Sequence, residues 1–154
     1  MIKHGLKKMK NKIVIKFKKL SDSATAPKRG SAVAAGYDLT VDTIEKTYDH
    51  IRYNSNIAVE IPKGYVGLLY PRSSVYKQNL MLTNGVGVID SDYRGPIMAV
   101  FQRMQEGRTS YDGYKLGERF AQLVIMPIPE VEYIEAEELS VTERGTGGYG
   151  STGK

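Results

Sequence analysis

Apolar and polar positions alternate in short runs along most of the chain, at the period of half-buried β-strands rather than helices. Lys12-Ile13-Val14-Ile15-Lys16-Phe17-Lys18 reads as a first strand with lysines on its wet face, where they would discourage edge-to-edge aggregation. Further β-type runs follow at Tyr37–Val41, Ile57–Ile61, Tyr65–Tyr70, Leu80–Thr83, Val86–Ile89, Ile97–Met104, Phe120–Ile128 and Val131–Ile134. Turn signals separate them: Pro62-Lys63-Gly64, and the hairpin dipeptides Asn84-Gly85 and Asp112-Gly113. Pro27, Gly30 and Gly36 argue against a helix over residues 21–36 despite the alanines. The one helical candidate is a turn or two at Ser73–Gln78. Many short strands without βαβ alternation predict an all-β sandwich, jelly roll or barrel and disfavour an α/β nucleotide fold.

At 154 residues the chain has the length of one domain. It has no cysteine and only two histidines, His4 and His50. That excludes a disulfide scaffold, a thiol nucleophile and a Cys-ligated metal, and it disfavours a multi-His metal site. No apolar run approaches the roughly 20 residues that cross a bilayer. The N-terminus lacks the apolar stretch of a secretory signal, so the expectation is a cytoplasmic protein without a membrane partner.

The net charge of +5 is unevenly spread. Ten of the 22 Lys/Arg and one of the 17 acidic residues lie in residues 1–30, leaving a mildly acidic body. Such a lead can neutralise nucleic-acid phosphates, or it is a solvated arm followed by a lysine-faced strand; the second reading is the simpler. The expected division is a basic extension over 1–11, a β domain over 12–143 and an arm over 144–154.

Two motif matches in that arm fail on context. Gly145-Thr146-Gly147-Gly148-Tyr149-Gly150 fits the dinucleotide fingerprint, but no helix and no downstream acidic residue can follow so near the last residue. Gly148 through Lys154 fits most of a P-loop but lacks its Ser/Thr and helix. The chemistry of the arm is more informative. Glycines expose backbone N–H groups, and Arg144, Tyr149, Ser151, Thr152 and Lys154 offer cations, hydroxyls and one ring. That set suits a flexible lid closing over a phosphate chain and a base, although from composition alone a disordered tail is the simpler reading.

Five segments in order complete the picture: Ala35-Gly36-Tyr37-Asp38-Leu39, Pro71-Arg72-Ser73-Ser74, Asn84 through Gly95, Gly117 through Leu123, and Arg144 through Gly153. Together they resemble the trimeric deoxyuridine triphosphatases. The resemblance implies a distorted jelly roll, a homotrimer with active sites at subunit junctions, and magnesium-dependent hydrolysis of dUTP to dUMP and pyrophosphate. It implies Asp90 as the general base for the attacking water and Tyr93 as the platform that refuses a ribose. Asn84 and the backbone of Gly87, Val88 and Ile89 would read uracil, and Tyr149 would stack on it. Arg72, Ser73, Ser74, Gln122, Arg144, Gly150, Ser151 and Thr152 would hold the phosphates. Asp38 would hold water on the magnesium, with no direct protein ligand. Arg119 is left outside the site, as a structural ion pair that Glu118 would partner, and Asp92 as a support of its turn.

Two rival functions have specific signatures. The related dCTP deaminases carry a glutamate on the strand after the Asp-containing turn. Here the matching position falls near Val100, and Ile97–Phe101 holds no carboxylate. A non-catalytic regulatory or nucleic-acid-binding role would rest on the basic lead alone.

Overall fold

The computed structural model describes residues 12–104 and 113–148. Eleven strands and one 3-10 helix follow in order: β1 Lys16–Lys19, β2 Lys28–Arg29, β3 Tyr37–Thr40, β4 Thr43–Lys46, β5 His50–Asn54, β6 Ile57–Glu60, β7 Tyr65–Pro71, the 3-10 helix Ser73–Gln78, β8 Leu80–Leu82, β9 Gly87–Ile89, β10 Met98–Arg103 and β11 Arg119–Pro127. Antiparallel pairing arranges them as a five-stranded sheet β2-β3-β11-β7-β9, a four-stranded sheet β4-β5-β10-β8 and a pair β1-β6. This is a distorted jelly roll, one of the all-β architectures that the strand pattern leaves open and the one that the resemblance implies.

The core lies between the two larger sheets. Tyr53 of β5 meets Phe101 of β10, Tyr114 and Phe120 of β11, with ring centroids 5.5–5.8 Å apart. Leu39, Ile51, Leu69, Leu80, Ile97 and Leu123 fill in around them, all buried. Burial of each such side chain stabilises the fold by about 1.5–3 kcal/mol relative to leaving it exposed. The buried polar Ser55 is satisfied, its hydroxyl donating to Ile97 O at 2.8 Å. On the surface beside these sheets, Asp42 Oδ2 accepts from Ser21 at 2.7 Å and from Asn56 at 2.6 Å. These bonds hold the Asp42 carboxyl below its usual range although partial burial pulls the other way.

Four sequence expectations need correction. The first strand starts at Lys16 rather than Lys12 and all its residues are exposed, Phe17 by 49%. It lies flat along the edge of β6 instead of dipping into the core. The hairpin of β4 and β5 was missed, because its turn carries Tyr48 and Asp49 rather than Gly or Pro. Val131–Ile134 alternates but forms no strand, because no other described residue pairs with it. Asn84-Gly85 makes the expected tight turn, with Gly85 at φ +68°, yet the flanking β8 and β9 enter different sheets and do not pair. Asp112 lies outside the described residues, as do the extension 1–11 and the arm positions Tyr149, Gly150, Ser151 and Thr152.

Candidate active site

The turn after β9 builds one half of the site. Tyr93 N–H donates to Asp90 O at 3.2 Å, closing a β-turn. Arg94 pins that turn, its Nη1 donating to Ser91 O at 2.7 Å and Tyr93 O at 2.9 Å. Arg94, not Asp92, therefore braces the loop. Tyr93 reaches back to give its hydroxyl to Pro96 O at 3.1 Å, and its ring packs on Gly95, where a β-carbon would collide with the phenol. Val88, Ile89, Asp90, Tyr93, Pro96 and Met98 line a shallow pocket of about 160 Å³. The Asp90 carboxylate is exposed there, and no described side chain or backbone group hydrogen-bonds it. Its lone pairs are open to a water, as a general base requires.

Asn84 and Gly87 sit beside each other at the mouth of that loop. A β-carbon on Gly87 would lie 3.0 Å from Leu69 Cβ and 3.7 Å from Asn84 Nδ2. Glycine thus lets β9 press onto β7 while the Asn84 amide folds over the backbone. Among the described residues β9 is an outermost strand paired only with β7, which leaves one side of its backbone to hydrogen-bond a planar ligand.

The second half gathers at the other end of β7. Asp38 of β3, its side chain only 13% exposed, accepts from Arg72 Nε at 3.2 Å and from Arg119 Nη1 at 2.9 Å. Gln122 stands opposite Asp38 on β11, and its amide donates to Pro71 O at 3.3 Å. Gly36 makes that placement possible: a β-carbon there would come within 2.7 Å of Gln122 Oε1. Arg72 then leads into the 3-10 helix, whose first residues Ser73 and Ser74 have N–H groups with no partner within the helix. Arg119 was missed as a site neighbour because cross-strand register, which joins residues 81 positions apart, leaves no local trace. Glu118 does not partner it; its carboxylate accepts from Lys115 N at 2.9 Å.

Among the described residues Arg144 bonds to neither half. Its Nε donates to Gly147 O at 2.8 Å and its carbonyl accepts from Gly147 N, closing a small loop that begins at Thr142. Residues 128–146 are exposed throughout. Among the described residues no hydrogen bond or ion pair links Asp90 or Tyr93 to the Asp38 cluster, and no group of three or more His, Cys, Asp or Glu could hold a metal.

Residues 22–153 match the dUTPase family model. The chain belongs to the dUTPase family. It is 41% identical over 143 residues to the deoxyuridine 5'-triphosphate nucleotidohydrolase of Nautilia profundicola, covering 91% of this chain and 99% of that one. It is also 41% identical over 148 residues to the human mitochondrial enzyme, covering 91% of this chain and 55% of the relative. Its fold matches Staphylococcus bacteriophage 80alpha dUTPase with dUPNHPP at a TM-score of 0.78 and 31% identity, covering 92% and 99% of the two chains. A dUTPase of phage phi11, described with a structural Mg(II) ion, matches at 0.68 and 27% identity, covering 81% and 97%. No helix among the described residues is long and apolar enough to cross a membrane.

Proposed function

We propose that this dUTPase binds dUTP between the Asp90 loop and the Asp38 cluster and hydrolyses it at the α-phosphorus to dUMP and pyrophosphate. The observation that carries the reading is the open Asp90 carboxylate beside Tyr93 in a preformed pocket. Asp90 takes a proton from the attacking water, whose oxygen bonds to the α-phosphorus. The bond from that phosphorus to the bridging oxygen breaks, and pyrophosphate leaves with the electron pair. Tyr93, fixed by Pro96 and Gly95, packs against the deoxyribose, where a 2′-hydroxyl would clash. Asn84 and the open backbone of Gly87, Val88 and Ile89 read the uracil edge, and a 5-methyl group is refused sterically.

Arg72, Ser73, Ser74 and Gln122 hold the phosphate chain. Arg144 clamps its end, with Gly150, Ser151 and Thr152 adding donors and Tyr149 stacking on the base. Magnesium fits this donor set only as an ion held by substrate phosphates and waters, since the described residues supply no carboxylate cage. When bound so, it withdraws charge from the phosphates. Asp38 spends one acceptor position of each oxygen on an arginine and keeps others for a metal-bound water.

The active assembly is a homotrimer whose copies complete each other's sites. In support, among the described residues no hydrogen bond or ion pair joins the two halves of the site within one chain, and Val131, Tyr133, Ile134, Leu139 and Val141 stand 68–98% exposed on a segment that no other described residue covers. Product analysis with dUTP, dCTP, dTTP and UTP tests the reading. It requires dUMP and pyrophosphate from dUTP alone, suppressed by EDTA; equal turnover of UTP or dCTP would overturn it.

A further inference from the structure

The Asp38 carboxylate is shared between two guanidiniums, and the balance of charge there has a consequence for the phosphate side. With Arg72 alone, Asp38 would form a neutral pair. With Arg119 as well, the cluster carries a net single positive charge. Lys28 stands opposite Asp38 across the β2–β3 pair and Gln122 opposite it across β3–β11, so that row of the sheet holds no second acid. Arg72 is bound through Nε, which leaves the far edge of its guanidinium unspent, and the Arg72 side chain is 26% exposed. Arg119 is bound through one Nη and is 50% exposed.

We infer that Arg119 is a positioning residue for the triphosphate: by meeting half of the demand of Asp38, it keeps Arg72 a net cation toward the phosphates rather than half of a neutral salt bridge. This deepens the reading proposed above and rests on it. Arg119 acts through Asp38 and need not touch substrate. Its charge is what counts, so lysine can stand in for it, whereas a geometric brace would need the planar fork.

Arg119→Gln and Arg119→Lys are compared with the wild type by KM and kcat for dUTP with magnesium, by the inhibition constant of inorganic pyrophosphate at several salt concentrations, and by Tm. Arg119→Gln is expected to raise KM and weaken pyrophosphate about tenfold. Its kcat should change much less, and the salt dependence of pyrophosphate binding should flatten, because a screened charge has been lost. Arg119→Lys should stay within about threefold of the wild type on all three readings. Wild-type pyrophosphate affinity in Arg119→Gln would overturn the proposal. So would equal damage in both variants accompanied by a lower Tm, which marks a structural brace. A wild type that releases no pyrophosphate from dUTP would refute the function itself, a separate outcome read in the same assay.

Discussion

The ring of Tyr93 rests directly on Gly95, and any side chain at 95 would occupy the space of the phenol. The Tyr93 hydroxyl is tied to Pro96 O, so the ring cannot swing aside without losing that bond. Gly95→Ala should therefore displace Tyr93 from its place beside Asp90. Because misplacement by about an ångström can cost 100-fold, kcat/KM for dUTP should fall about 10- to 100-fold. The ratio of dUTP to UTP turnover should fall with it. Unchanged selectivity in this variant would show that Tyr93 does not police the sugar.

The Asp90 carboxylate has no hydrogen-bond partner among the described residues, and the residue sits on a turn held by Arg94 and by the bond from Tyr93 N–H to Asp90 O. Asp90→Asn keeps the shape and removes the base. Turnover should drop by about 100- to 10,000-fold. Affinity for a non-hydrolysable imido analogue of dUTP, measured by calorimetry, should stay within a few-fold of wild type. Loss of binding together with turnover would assign Asp90 to substrate recognition instead.

The strand pattern exposed most of this architecture before any coordinates. The core strands β3, β6, β7, β10 and β11 pack through apolar runs that are read directly, and Ser73–Gln78 is helical as its residues predict. The site was less legible. Asp38, Gln122 and Arg72 are named by resemblance, but that Asp38 bridges two arginines depends on register across β3, β11 and β7. Gly36 and Gly95 look like ordinary loop glycines until the side chains of Gln122 and Tyr93 are seen against them. The β4–β5 hairpin hid because Ile51 and Tyr53 alternate with the charged and polar His50, Arg52 and Asn54 over only five residues, with no glycine to mark the turn.

The arm from Arg144 makes only local bonds in its described part. Truncation after Glu143 should therefore leave Tm within about 2 °C of the full chain. Activity on dUTP should fall at least about 100-fold, because the phosphate clamp and the stacking ring go together. A truncated protein with full activity would remove the arm from the site.

Tyr114 is 4% exposed, and its hydroxyl has no partner among the described residues. Burial pushes its pKa up to about 12, against a weaker downward pull from Arg72. Below pH 10 the phenol is neutral in both folded and unfolded chains and its contribution to stability is intact. Between pH 10 and 12 the unfolded chain ionises while the folded one does not, so stability falls as pH rises, by roughly 2 kcal/mol from this group. Tyr114→Phe should match the wild type within about 1 kcal/mol at pH 8. It should then lose less on going to pH 11, as read by urea denaturation. Parallel losses in both proteins would locate the alkaline instability elsewhere.

Turnover in ¹⁸O-enriched water followed by mass spectrometry tests the central claim most directly, since attack at the α-phosphorus leaves the water oxygen on the nucleotide. One labelled oxygen in dUMP and none in pyrophosphate is the predicted result. Label in pyrophosphate would mean attack at the β-phosphorus and would contradict Asp90 as the base for the α-phosphoryl group.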